Sequence, residues 1–162
     1  MKCPQCESQM QSRTESRKYD PGIEGARITL LDVEVHRCPK CGEQGLGIKN
    51  LLGLHRRIAR ELVSKTARLS PAEIRFLRLH LGLTVTDLAA RMGVTRSAAS
   101  RWESATKPLA MRSTTERLLR LMVAVEDGVE FETSRLPELG TGEAAPLHLR
   151  LKACRNAWRD AQ

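Results

Sequence analysis

Residues 83–103 read LTVTDLAARMGVTRSAASRWE, and this run holds two helix starts and one helix stop. Thr84 is placed to cap a short helix with Asp87 in its first turn, and Gly93 ends that helix at a point where the backbone needs a positive φ. Thr95 then caps a second helix that carries Arg96, Ser97, Ser100 and Arg101. Leu88, Ala89, Met92, Val94, Ala99 and Trp102 fall on the inward positions, with the small Ala89 where two helices would cross closely. Two short helices joined by a turn of three to four residues are therefore predicted, with Trp102 as a core residue and the arginines facing outward.

This spacing is that of a helix-turn-helix, and the run resembles the Xre/Cro-type helix-turn-helix family over residues 70–125. The resemblance implies that the second helix lies in the DNA major groove. Carried over position by position, it makes Thr95, Arg96 and Ser97 the start of the recognition helix and Arg101 its next groove-facing residue. Arg96 and Arg101 can each present a fork to guanine O6 and N7. Thr86 and Lys107 fall where the family touches phosphate. The sequence departs from the family at Val85, where a glutamine is common, at Ala105, where a glycine is common, and at Ala99, which is smaller than usual.

Working outward, RLSPAEIRFLRLHLGL (68–83) offers Ser70 as N-cap, Pro71 at the first helical position, Glu73 three residues after the cap and Gly82 as the stop. RSTTERLLRLMVAV (112–125) predicts a further amphipathic helix capped by Ser113 or Thr114, with Leu118, Leu119, Leu121 and Met122 closing the bundle. Upstream, Leu51, Leu54, Ile58 and Leu62 recur at helical spacing and predict a basic connecting helix within 46–69.

The N-terminal part differs in kind. MKCPQC and CPKCGE place Cys3, Cys6, Cys38 and Cys41 in two Cys-x-x-Cys knuckles, each turned by a proline, with Gly42 after the second. Two knuckles supply a closed four-sulfur site for one Zn²⁺; with no position left for water, the ion would be structural. A dithiol redox pair or an iron site is the other chemistry open to these thiols. Between the knuckles, Ile28, Leu30, Val33 and Val35 alternate with polar residues and slip at Leu31–Asp32, which predicts a strand with a bulge. The turn formers of YDPGIEG (19–25) predict an earlier partner strand near 10–18, so 1–45 reads as a metal-stapled β-ribbon too small to stand on burial alone. His36 is either a substitute ligand or an exposed strand residue, and Cys154 is expected to pack rather than react.

Charge is distributed unevenly. The chain carries +8 overall; residues 1–45 balance seven basic against seven acidic groups, 46–69 hold six basic groups and Glu61, and 70–125 hold nine basic and four acidic. The positive middle fits a polyanion such as double-stranded DNA. No apolar run reaches eighteen residues and no signal core opens the chain, so the reading is of a cytoplasmic protein with no membrane contact. No catalytic constellation is present in the pattern, and the expectation is a binding protein, not an enzyme.

The expected fold is thus mainly α, with a small zinc-stapled β-ribbon at 1–45, a connecting helix at 46–69, a helical DNA-binding bundle at 70–125, and a linker and C-terminal helix at 126–162. In the last segment, Leu147, Leu151, Cys154 and Trp158 fall on one helical face. In this order the parts resemble the MqsA/YgiT-type antitoxins through MKCPQC, the second cysteine pair followed by Gly-Glu, and SRWE at 100–103. That resemblance covers residues 1–125. It implies a homodimer binding a palindromic operator in its own promoter, with the zinc domain binding a small toxin protein. A stand-alone regulator with a zinc-stabilised interaction or redox-sensing head is the alternative, since the tail departs from the family.

Overall fold

The structure, a computed structural model, describes residues 1–143, 145–155 and 157–161. In chain order its elements are β1 (Gln11–Tyr19), β2 (Arg27–Arg37), β3 (Gln44–Gly47), α1 (Leu51–Ser64), α2 (Pro71–His80), α3 (Val85–Met92), α4 (Arg96–Trp102), α5 (Ser113–Glu126), a 3-10 helix (Thr133–Glu138), β4 (His148–Cys154) and β5 (Ala157–Asp160). Two compact units share the chain. The first takes Met1–Asp20, Arg27–Leu54 and His148–Gln162; the second takes Pro21–Ala26 and His55–Leu147, so that the division falls inside α1. No helix among the described residues is long and apolar enough to cross a membrane.

The first unit is built on β2. β1 pairs antiparallel along one edge of it, from Gln11 opposite Arg37 to Tyr19 opposite Ile28. The register slips where Ser16 faces two residues, Leu31 and Asp32, and Asp32 takes a left-handed φ of 54°. This bulge resets the alternation, so Ile28, Leu30, Val33 and Val35 all point to the buried face despite their uneven spacing. The other edge of β2 is divided at the same place. Its first half, Arg27–Leu31, pairs parallel with β4, and its second half, Glu34–Arg37, pairs antiparallel with β3. β5 then closes on β4.

The C-terminal strands correct the expectation of a mainly α chain with a terminal helix: helix and sheet are mixed. Leu147, Leu151, Cys154 and Trp158 do fall at helical intervals, but Leu149, Leu151 and Ala153 also alternate with His148, Arg150 and Lys152, and the free edge of β2 accepts that second period. Leu151 is fully buried opposite Leu30, and Trp158 is buried with its indole N–H donating to the Asn50 carbonyl at 3.1 Å. Cys154 ends β4 exposed and does not pack.

In the second unit the expected caps are present. Ser70 and Glu73 form a reciprocal capping box on α2, and Thr84 and Asp87 form another on α3. α5 begins at Ser113 with Arg112 at the cap and no side-chain capping bond, unlike the expected Ser113 or Thr114 cap. Leu119, Val123 and Ala124 form its buried stripe; Leu118, expected inside, is 43% exposed. Two polar residues complete the seam. The fully buried Arg120 donates to the carbonyls of Leu62 (2.8 Å), Val63 (3.3 Å), Lys65 and Ala67 (2.8 Å), and to Glu116 Oε1 (2.7 Å). It thereby satisfies carbonyls at the end of α1 that no intrahelical amide can reach.

Candidate metal centre and nucleic-acid interface

The two knuckles fold to one local pattern. Cys3 N–H donates to the Ser8 carbonyl (2.9 Å) and Glu7 N–H returns to the Cys3 carbonyl (2.9 Å); Cys38 N–H donates to the Glu43 carbonyl (2.8 Å) and Gly42 N–H returns to the Cys38 carbonyl (3.0 Å). The fifth position of each loop is left-handed, φ 58° at Glu7 and 75° at Gly42. These turns bring the sulfurs of Cys3, Cys6, Cys38 and Cys41 within 4.8 Å of one another, in a cluster that can hold a metal ion. Three of the separations are 3.5 Å (Cys3–Cys41), 3.4 Å (Cys6–Cys38) and 3.5 Å (Cys6–Cys41). A tetrahedron of thiolates about 2.3 Å from a central Zn²⁺ has edges of about 3.8 Å, so the spacing suits such an ion.

The electrostatics point the same way. The Ser8 hydroxyl and amide pull the Cys6 thiol down to about 6. Cys41, despite a hydrogen bond from the Glu43 amide, is pushed up to about 12 by Cys3 and Cys38. Thiols this close cannot all ionise without a cation among them. Met10 is buried against Cys3, Cys6 and Cys38 and shields the inner side of the cluster. His36 stays outside it: half-buried on β2, its Nδ1 lies 2.7 Å from Ser12 Oγ.

The second candidate site is built on α3 and α4. Gly93, at φ 65°, turns the chain between them, and the Thr95 hydroxyl accepts the Ala98 amide proton at 3.2 Å. Ala99 and Trp102 are buried and fix the inner side of α4, leaving Arg96, Ser97, Ser100 and Arg101 exposed along its other side. Thr86 is exposed in the first turn of α3. Lys107 is exposed in the following loop, where its amide donates to Ser104 Oγ at 3.1 Å. A two-turn helix bearing forked cations and small hydroxyls, flanked by polar groups on neighbouring turns, can enter a groove while its neighbours hold the backbone.

Sequence reasoning missed what holds α4 in place. Arg78, near the end of α2, makes a two-pronged ion pair with Glu103 (Nε–Oε1 2.6 Å, Nη2–Oε2 2.8 Å) and donates Nη1 to the Leu83 carbonyl (2.7 Å). Both side chains are at least nine-tenths buried, and Glu103 holds the Arg78 guanidinium above its usual range. One residue thus ties α2, the turn before α3 and the end of α4. The available signal was Arg78 lying in step with the inward Ile74 and Leu77, which treating every arginine as surface charge concealed.

Residues 72–132 match the family description of a helix-turn-helix domain. No curated protein and no solved structure matches the chain. The match spans less than half of the sequence, so it assigns the α2–α5 region, which also carries the four residues of the exposed α4 face.

Proposed function

We propose that this protein is a sequence-specific DNA-binding transcriptional regulator whose other unit is stapled by one structural Zn²⁺ held by Cys3, Cys6, Cys38 and Cys41. The observation that carries it is the exposed row Arg96, Ser97, Ser100 and Arg101 on a helix locked from behind by Ala99, Trp102 and the Arg78–Glu103 pair, inside a helix-turn-helix match. The protein acts by binding and not by catalysis. Two copies related by a two-fold axis would present two such helices to half-sites about 34 Å apart, which makes the operator a palindrome and the working form a homodimer. Selection from a random-sequence duplex pool tests this reading: an enriched palindrome supports it, and a pool that stays random overturns it.

Within that function, the order of a four-cysteine head followed by a helix-turn-helix favours an antitoxin role, in which the head binds a small toxin while the helical unit represses the operon of both. Support comes from the resemblance carried by MKCPQC, CPKCGE and SRWE. An adjacent reading frame that is lethal alone and rescued by this protein is the expected finding. Its absence leaves the stand-alone regulator.

A further inference from the structure

The face of the β-sheet opposite its apolar core is basic, and the C-terminal strands make it so. In register, Thr29 lies between Lys18 on β1 and Arg150 on β4, Arg27 pairs with His148, and Lys152 lies between Leu31 and Arg159. Partners in register project to one side of a sheet, so Lys18, Arg27, His148, Arg150, Lys152 and Arg159 share a face, and all six are exposed. Neighbours on this grid stand roughly 5 Å apart across strands and roughly 7 Å apart along them. Two carboxylates of β2 share this face, Asp32 and Glu34, and of these Asp32 pairs with Lys152 at 2.6 Å. Lys18, Arg27, Arg150 and Arg159 make no ion pair among the described residues.

Such an arrangement works against the fold. Lys152 and Arg159 are directly opposed across an antiparallel pair, where like charges destabilise. Asp32 answers Lys152 alone, and a face whose remaining cations have no acid paired to them marks a surface shaped for something outside. The tail supports this through its own segregation: its acids concentrate at Glu126–Glu143, whereas Arg150, Lys152, Arg155 and Arg159 fall within ten residues with no acid among them.

We propose that this face is a second DNA-contacting surface, one that grips the phosphate backbone of double-stranded DNA without reading sequence. Charge complementarity commits it to a polyanion. The helix-turn-helix match in the same chain identifies that polyanion as duplex DNA, and two DNA-gripping surfaces on one chain add their affinities where one duplex reaches both. The inference rests on the DNA-binding reading above and adds a site that reading does not use. It also separates the labour: α4 selects a sequence, and the sheet adds affinity that falls with salt.

The test uses the full chain with zinc bound and a duplex that extends at least ten base pairs beyond the selected site on both sides. Arg27→Gln, Arg150→Gln and Arg159→Gln are combined in one variant, whose zinc content and thermal midpoint report that the sheet is intact. The expected result is a plot of log affinity against log salt that is shallower by up to about 2.7, since each lost phosphate contact removes about 0.9 from the slope. The ratio of affinity for selected over random DNA should not change. Conversely, Arg101→Ala should lower that ratio and leave residual random binding that the sheet substitutions then reduce, so failure of the α4 reading and failure of this one give different patterns. A slope equal to that of the parent overturns the proposal. So does loss of binding to phosphatidylserine-containing vesicles in the triple variant with DNA binding unaltered. Should the triple variant lose zinc, Arg150→Lys with Arg159→Lys against Arg150→Gln with Arg159→Gln repeats the comparison; equal slopes in that pair also overturn it.

Discussion

Glu7 and Gly42 occupy the same place in two knuckles that are otherwise alike, and only one of them is the residue that a left-handed backbone favours. A side chain at φ 58° costs about 1 kcal/mol relative to glycine. Glu7→Gly should therefore raise the urea midpoint of the zinc-loaded first unit, and Gly42→Ala should lower it by a similar amount. If Glu7→Gly lowers the midpoint instead, the Glu7 side chain contributes something that its backbone strain conceals. Arg78 is a second residue whose worth can be measured. Arg78→Ala leaves the buried Glu103 carboxylate without its partner, and breaking such a pair costs about 3 to 5 kcal/mol. Thermal unfolding of the second unit should show that loss, with weaker binding of all DNA because α4 is no longer fixed. An unchanged midpoint would mean that the pair contributes nothing to the position of α4.

At the scale of one element, the role proposed for α4 separates reading from holding. Arg96→Ala and Arg101→Ala should each cost about 1 to 3 kcal/mol on the selected site and little on random duplex. Lys107→Ala should weaken both alike and flatten the salt dependence. Equal loss on both duplexes in the arginine variants would place the groove-facing helix elsewhere. The cap of α3 has a pH signature of its own. Hydrogen bonds from the Thr84 hydroxyl and amide hold the Asp87 carboxyl below its usual value, so its stabilisation is present above the ordinary carboxylate range and is lost as pH falls through that range and below. Melting curves between pH 6 and about 2.5 should show Asp87→Asn removing part of the acid-side decline in the second unit; an identical decline would deny the cap that role.

α2, α3 and α4 were legible because caps, stops and apolar positions agree over 70–103, whereas the start of α5 and the side it buries were read less well. The bulged β2 was legible too, since the slip in its alternation is the bulge. The C-terminal strands were not. Their segment satisfies two periods at once, and the choice between them was made by an unpaired edge of β2 more than a hundred residues earlier. Nor could sequence show that Arg120 would be fully buried, because its partners are mostly backbone carbonyls, which every residue possesses.

Over the whole molecule, each unit holds one of the two tryptophans, and both are buried: Trp158 in the first and Trp102 in the second. Removing the metal should release the first unit alone. In Trp102→Phe protein, a strong chelator should shift the emission of Trp158 to the red. In Trp158→Phe protein the emission of Trp102 should hold, and so should cooperative melting of the second unit. Simultaneous loss of both signals would show that the units do not unfold independently, and no response of Trp158 would mean that the cluster does not support its sheet.

The parallel pairing of β2 with β4 also sets a timetable for synthesis. Both knuckles leave the ribosome early and can take up metal, but half of one edge of β2 has no partner until residues 148–152 emerge. At about 5 to 20 residues per second that delay is on the order of ten seconds, and the helical unit is translated wholly within it. Throughout that interval the nascent chain carries an open apolar strand edge, Ile28–Leu30, while the helical unit is still being made. A pause in translation, or a stop codon before residue 148, would prolong this exposure and favour strand-to-strand association between neighbouring chains.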